Sequence, residues 1–120
     1  INIMISLNIS LPSAIMTRAI ITITEGKTAA LQDLGIADVN NGLPATGTGT
    51  DGITLITDPD APRYTDAGTF SVLGSLLASA AYETVRECLE LYDKPWNRDD
   101  SLATPPAVDL SRLRNKECGH

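Results

Sequence analysis

Apolar residues occupy every second position at the start of the chain: Ile1, Ile3, Ile5 and Leu7 alternate with Asn2, Met4, Ser6 and Asn8. A period of two is the spacing of one face of a β-strand, so a strand burying its odd-numbered side is expected. Met4 breaks the polar side, which predicts partial cover there as well. Leu11-Pro12-Ser13 follows as a helix start with proline in the first turn. Between residues 14 and 34 two periods compete. Ile15, Ala19, Ile23, Ala30 and Leu34 share a helical stripe, with Met16, Ile20 and Leu31 beside it. Against that, Ile21-Thr22-Ile23-Thr24 alternates and is rich in β-branched residues, as a strand would be. A stretch of about 20 residues without turn residues is too long for a strand, so a helix is predicted. Gly26 costs that helix about 1 kcal/mol relative to Ala, and Gly35 is its natural stop.

Residues 38–44 (D-V-N-N-G-L-P) read as loop. A second strand is expected over residues 52–57, ended by the two prolines of Asp58-Pro59-Asp60-Ala61-Pro62. Another loop carries Tyr64, Thr65 and Asp66. Thr69 or Ser71 can then cap a helix whose apolar stripe is Leu73, Leu76, Leu77, Ala80, Ala81, Val85, Cys88 and Leu89. Glu83, Arg86, Glu87 and Glu90 line its wet face. Gly74, Ser75, Ala78 and Ser79 are small enough to admit a close neighbour. Pro95 stops this helix, and residues 94–120 form a polar, Pro-containing tail that is expected to be loosely docked or disordered.

The order strand, helix, strand, helix predicts a small α/β domain over residues 1–93, a two-layer arrangement of a short sheet covered by two long helices. Two strands are too few for a stable sheet, and a strand pattern with no lead-in reads as a segment cut from something longer. The expectation is therefore a fragment of a larger α/β domain, with its missing strands supplied upstream or by a second copy as a homo-oligomer.

Composition narrows the partners. A net charge of −6 in 120 residues disfavours nucleic acid and anionic membranes, which reward clusters of Lys and Arg. No apolar run approaches the roughly 20 residues of a membrane span, and no basic-then-apolar leader precedes the first strand. Cys88 and Cys118 form no C-x-x-C; Cys88, within an apolar helical pattern, is expected to be a small buried thiol. A reduced, cytoplasmic protein accounts for both. One histidine, His120, and two scattered cysteines make no zinc set, and neither a metal nor a cofactor is expected.

The densest chemistry lies in A-T-G-T-G-T-D-G, residues 45–52. Gly47 and Gly49 permit left-handed or strained backbone, which can turn several N–H groups toward an anion or a developing oxyanion. Thr46, Thr48, Thr50 and Asp51 surround that point. A threonine-rich turn whose hydroxyls satisfy their own backbone has the same composition. The lysine of a phosphate-binding P-loop and the G-x-G-x-x-G of a dinucleotide loop are both missing. Glu25 and Lys27, two apart on a helix, point to nearly opposite sides and form no local pair.

Four blocks in order resemble the adenosylcobinamide amidohydrolase family. They are Ile1-Asn2-Ile3-Met4-Ile5; Thr24-Glu25-Gly26-Lys27-Thr28-Ala29-Ala30-Leu31 with Leu34-Gly35-Ile36; Pro44-Ala45-Thr46-Gly47-Thr48-Gly49-Thr50-Asp51; and Tyr64 to Gly74, followed by Ala81-Tyr82-Glu83-Thr84-Val85. The third block is the most specific. Together they cover roughly residues 1–89. The chain departs from the family pattern at Gly26, where Ala is usual, and at Phe70 and Val72, where a His and a Lys stand. The resemblance implies hydrolysis of the amide joining the corrin ring to its aminopropanol arm, giving adenosylcobyric acid, with a corrinoid as substrate.

Such a reaction needs activated water, an oxyanion stabiliser and an acid for the leaving amine. On that basis Asp51 or Glu25 activates water, Lys27 stabilises charge or donates a proton, and Thr46, Gly47, Thr48, Gly49 and Thr50 hold substrate and oxyanion. A threonine nucleophile at Thr48 or Thr50 is the second option, without a histidine to activate it. A corrinoid- or metabolite-binding domain without catalysis is the rival reading, and a purely structural domain the third.

Overall fold

The computed structural model describes residues 1–92; the expected tail, residues 94–120, lies outside them. Strand β1 (Asn2–Ser6), helix α1 (Ser13–Asp33), strand β2 (Gly52–Ile56) and helix α2 (Val72–Tyr92) follow in that order. The strands run parallel, with Ile3 opposite Ile53 and Ile5 opposite Leu55. The pairing continues past the named strands through Leu7 N–H to Ile56 O (2.8 Å) and a bridge between Ser10 and Arg63. This is the small α/β arrangement that the pattern predicts.

Parallel pairing with alternate residues inward aims Ile3, Ile5, Ile53 and Leu55 at one layer of helix. They pack on Leu11, Ala19 and Ile23 from α1 and its lead-in, and on Ala67, Leu73, Leu77 and Ala81 from α2 and the loop before it. The opposite face of the sheet is open. Met4, expected to be partly covered, is 74% exposed there, because no described element lies behind β1. Cys88, expected buried, is exposed. It lines an open groove of about 540 Å³ between β1 and the C-terminal half of α2, where the apolar stripe of α2 outruns the sheet beneath it.

Within α1 the competition between helical and strand periods is settled by packing: Thr22 and Ile23 are fully buried inside one continuous helix. Pro12 precedes the first helical residue, and its carbonyl accepts from the N–H groups of Ile15 and Met16, both at 2.9 Å. Gly35 ends the helix in the left-handed region (φ 67°). There Ile36 N–H reaches Leu31 O and Gly35 N–H reaches Gln32 O, the paired bonds of a Schellman cap. At α2, Ser71 is the cap: its hydroxyl accepts from Gly74 N–H at 3.0 Å.

The two helices meet closely at Gly26, and α2 packs on its own lead-in at Gly74. A Cβ on Gly26 would lie 3.0 Å from the carbonyl carbon of Ala78 and collide with its oxygen. One on Gly74 would lie 2.8 Å from Ala67 O. Gly26 is therefore the contact that sets the helix spacing, and Ala does not fit here at this spacing. Gly26→Ala gains about 1 kcal/mol of helix propensity but drives a methyl into backbone that cannot rotate away. A net destabilisation of about 1–3 kcal/mol is expected, read as a lower urea midpoint at unchanged slope.

Candidate functional site

The C-terminal cap of α1 turns the chain into a short hairpin. Asp38 N–H bonds Leu43 O (2.8 Å), Ala45 N–H bonds Ile36 O (2.9 Å), and Gly42 takes a positive φ at the tip. Asp38 and Asn41 fold onto Asn40 N–H and Leu43 N–H as side-chain turns. This hairpin delivers Ala45, buried, against α1, and the Thr-Gly loop begins directly after it. Thr28 on α1 fixes its first residue by donating to Thr46 O at 3.1 Å.

Lys27, one residue before Thr28, is buried, with a side chain only 8% exposed, and pairs with Asp51 Oδ2. Space for this pair comes from Gly47. A Cβ there would lie 2.6 Å from Lys27 Nζ and would overlap Asp51. Gly47 thus serves by having no side chain rather than by unusual backbone. Neither Gly47 nor Gly49 adopts positive φ, contrary to the expectation for this loop; Gly35 and Gly42 do. Gly49 has open space around it.

Asp51 is the hub. Its Oδ1 accepts from Thr48 Oγ1 (2.7 Å). A turn bond from Asp51 N–H to Thr48 O closes the loop. Desolvation by itself would raise the Asp51 carboxyl. The hydrogen bonds from Lys27 and from the Thr48 side chain and backbone outweigh it and hold the carboxyl below its ordinary value. Asp51 is consequently a permanent anion and a weak proton acceptor near neutrality.

Among the described residues, the N–H groups of Gly47, Gly49 and Thr50 find no protein acceptor. Thr46 contributes its carbonyl to Thr28, while Thr50 is exposed. Glu25 does not join this cluster. Its Oε2 accepts from Thr69 Oγ1 at 2.8 Å, on the loop before α2. One turn back, the buried Thr22 donates to Ala67 O at 2.7 Å. The fold therefore brings Lys27, Gly47, Thr48 and Asp51 together and sets Glu25, also on α1, against a second loop. Phe70 and Val72, on that loop and at the start of α2, are 107% and 60% exposed.

Sequence reasoning missed Thr22, Thr28 and Thr69. Threonine hydroxyls in a helix commonly turn back on the preceding turn, as Thr17 and Thr24 do here. The one available signal for Thr22 is its place between Ile21 and Ile23 in an apolar run. Among the described residues no group of three or more His, Cys, Asp or Glu is placed to hold a metal ion, and no helix is long and apolar enough to cross a membrane.

The adenosylcobinamide amidohydrolase family model matches residues 1–96. An uncharacterised protein of Methanocaldococcus jannaschii is 41% identical over 96 residues, which is 78% of this chain. The chain spans 37% of the length of that relative. No solved structure matches the chain.

The lowered Asp51 carboxyl has a definite pH signature. A native value below the ordinary 3.8 means that ionised Asp51 stabilises the fold. That contribution is complete above the ordinary value and is lost as pH falls through the lowered native one. Urea melts between about pH 4 and pH 2 should show the parent chain losing stability faster than Asp51→Asn. Gly47→Ala, which evicts the pair, should behave like Asp51→Asn; parallel slopes for all three would remove the linkage.

Proposed function

The chain belongs to the adenosylcobinamide amidohydrolase family, and from that premise we propose that it serves hydrolysis of the amide between the corrin ring and the aminopropanol arm of adenosylcobinamide. The product acid, adenosylcobyric acid, would return to cobamide synthesis. The observation that carries this reading is the Lys27–Asp51 pair seated on Gly47, all within the matched stretch, with Gly47 and Asp51 in its most specific block and Lys27 in the second.

Hydrolysis adds water to the amide carbon, passes through an oxyanion, and breaks the carbon–nitrogen bond as the amine takes up a proton. Lys27 is the group for the oxyanion. One of its three N–H donors is committed to Asp51, its burial strengthens what the others do, and the unspent N–H groups of Gly47 and Gly49 add to it. Asp51 fixes the ammonium and the Thr48 hydroxyl as an anion that does not give up its charge. The attacking water is then oriented at the Asp51 carboxylate, the one beside Lys27; Glu25 leaves α1 on nearly the opposite side and is held by Thr69 on a separate loop. Thr46, Thr48 and Thr50 present hydroxyls to the amide-rich substrate.

A second reading, corrinoid binding without turnover, draws support from Phe70 and Val72. They stand in water where the family pattern has a base and a cation. Incubation with adenosylcobinamide, followed by chromatography for adenosylcobyric acid, separates the two. Product supports hydrolysis; a corrinoid-induced rise in melting temperature without product supports binding alone; neither removes both. Where product forms, Lys27→Met should lower kcat about 100- to 1000-fold, the scale of a lost oxyanion donor. Asp51→Asn should lower it about 100-fold or more.

A further inference from the structure

The three threonines of the Thr-Gly loop are not equivalent. Thr46 is tied to α1 through its carbonyl, which accepts from Thr28, and Thr50 is exposed. Among the described residues, Thr48 is the loop threonine that spends its hydroxyl proton on a carboxylate: Oγ1 donates to Asp51 Oδ1 at 2.7 Å. The same two residues are joined through the backbone, where Asp51 N–H donates to Thr48 O at 3.3 Å. One side-chain bond and one backbone bond therefore close a small ring over residues 48–51.

This ring completes what Lys27 begins. Lys27 holds Oδ2 and Thr48 holds Oδ1, so the two oxygens of one carboxylate are gripped separately. The two donors differ in stiffness. A lysine ammonium rides on a flexible four-carbon stem and can follow a carboxylate that moves. A threonine hydroxyl sits on a short β-branched side chain with a restricted χ1, and the backbone bond of the ring fixes where Thr48 stands. The Asp51 side chain is 21% exposed against 8% for Lys27, so water reaches the pair at the aspartate. These two donors leave the carboxylate acceptor capacity for that water. We infer that Thr48 is a positioning residue for Asp51: its hydroxyl holds the aspartate side chain in the one rotamer from which it orients the attacking water. This inference rests on Asp51 being the group that orients water. Direct binding of substrate by the Thr48 hydroxyl is the competing role.

The test compares Thr48→Val, which removes the hydroxyl at similar volume, with Thr48→Ser, which keeps it. Thr48 is exposed, so neither change opens the core. Three-bond NMR couplings from the Asp51 carboxyl carbon to its own backbone nitrogen and carbonyl carbon read χ1 at neutral pH, with no need for activity. They should report one rotamer in the parent chain and in Thr48→Ser, and averaging over rotamers in Thr48→Val. In adenosylcobinamide hydrolysis Thr48→Val should lower kcat about tenfold with KM little changed, and Thr48→Ser should restore it. Added to Asp51→Asn, Thr48→Val should cost nothing further. Unchanged Asp51 couplings in Thr48→Val, a raised KM at constant kcat, or losses that multiply with Asp51→Asn would each overturn the positioning role. Couplings that average in Thr48→Val, in a chain that makes no product, would instead remove the hydrolysis reading and leave the Thr48 clamp on Asp51 in place.

Discussion

A lysine ammonium buried beside a glycine with no side chain is the constraint on which the rest of this structure hangs. Taking Lys27 out of water is tolerable only with an anion against it and hydrogen bonds around the pair. Asp51 supplies that anion, and its own position then fixes much else. It immediately precedes β2 and folds the Thr-Gly loop onto itself through Thr48. Removing either partner would leave a charge stranded in a site that cannot rehydrate fully, which costs more than the pair contributes when intact. One ion pair thus ties helix, sheet and loop at a single point.

Helix α1 is the common frame for both loops that carry polar chemistry. Lys27 and Thr28 hold residues 46–51; Thr22 and Glu25 hold residues 66–71. Because a helix is rigid over these few residues, the two loops are fixed relative to one another without touching. The spacing of α1 from α2 enters the same arrangement. Gly26 lets α1 approach the α2 backbone at Ala78, Gly74 lets α2 approach the Ala67–Gly68 peptide of its own lead-in, and the Ala67 carbonyl there accepts from the Thr22 hydroxyl. A glycine that lowers helix propensity is therefore part of how the second loop is placed.

The uncovered surfaces follow from the same geometry. With both helices on one face of a two-stranded sheet, the other face leaves Met4 exposed, and the C-terminal half of α2 extends past β1 with Cys88 in an open groove. The relative from Methanocaldococcus jannaschii has nearly three times the length that this chain spans. Burial of an apolar position is a property of what stands opposite it, so the stripe of α2 marks a face without saying which of its turns are covered.

Periodicity alone determined the elements and their order, because a two-residue or 3.6-residue repeat is a local property of the backbone that needs no partner. The competing strand pattern at Ile21-Thr22-Ile23-Thr24 was resolved by length, and Gly35 as a helix stop by its tolerance of positive φ. The Thr-Gly block, Glu25 and Lys27 could be picked out as chemistry from residue type and resemblance. Their opposite directions on α1 followed from helical geometry. Which groups meet was decided by tertiary structure. That Lys27 joins Asp51 and Glu25 joins Thr69, that Gly47 makes room for Lys27 by the absence of a side chain and Gly26 acts by close approach, and that Thr22 reaches another loop all depend on contacts between residues 20 to 52 positions apart. Such contacts exist only once the hydrophobic core has fixed where the helices lie, and no local pattern in the sequence encodes a distance across that core.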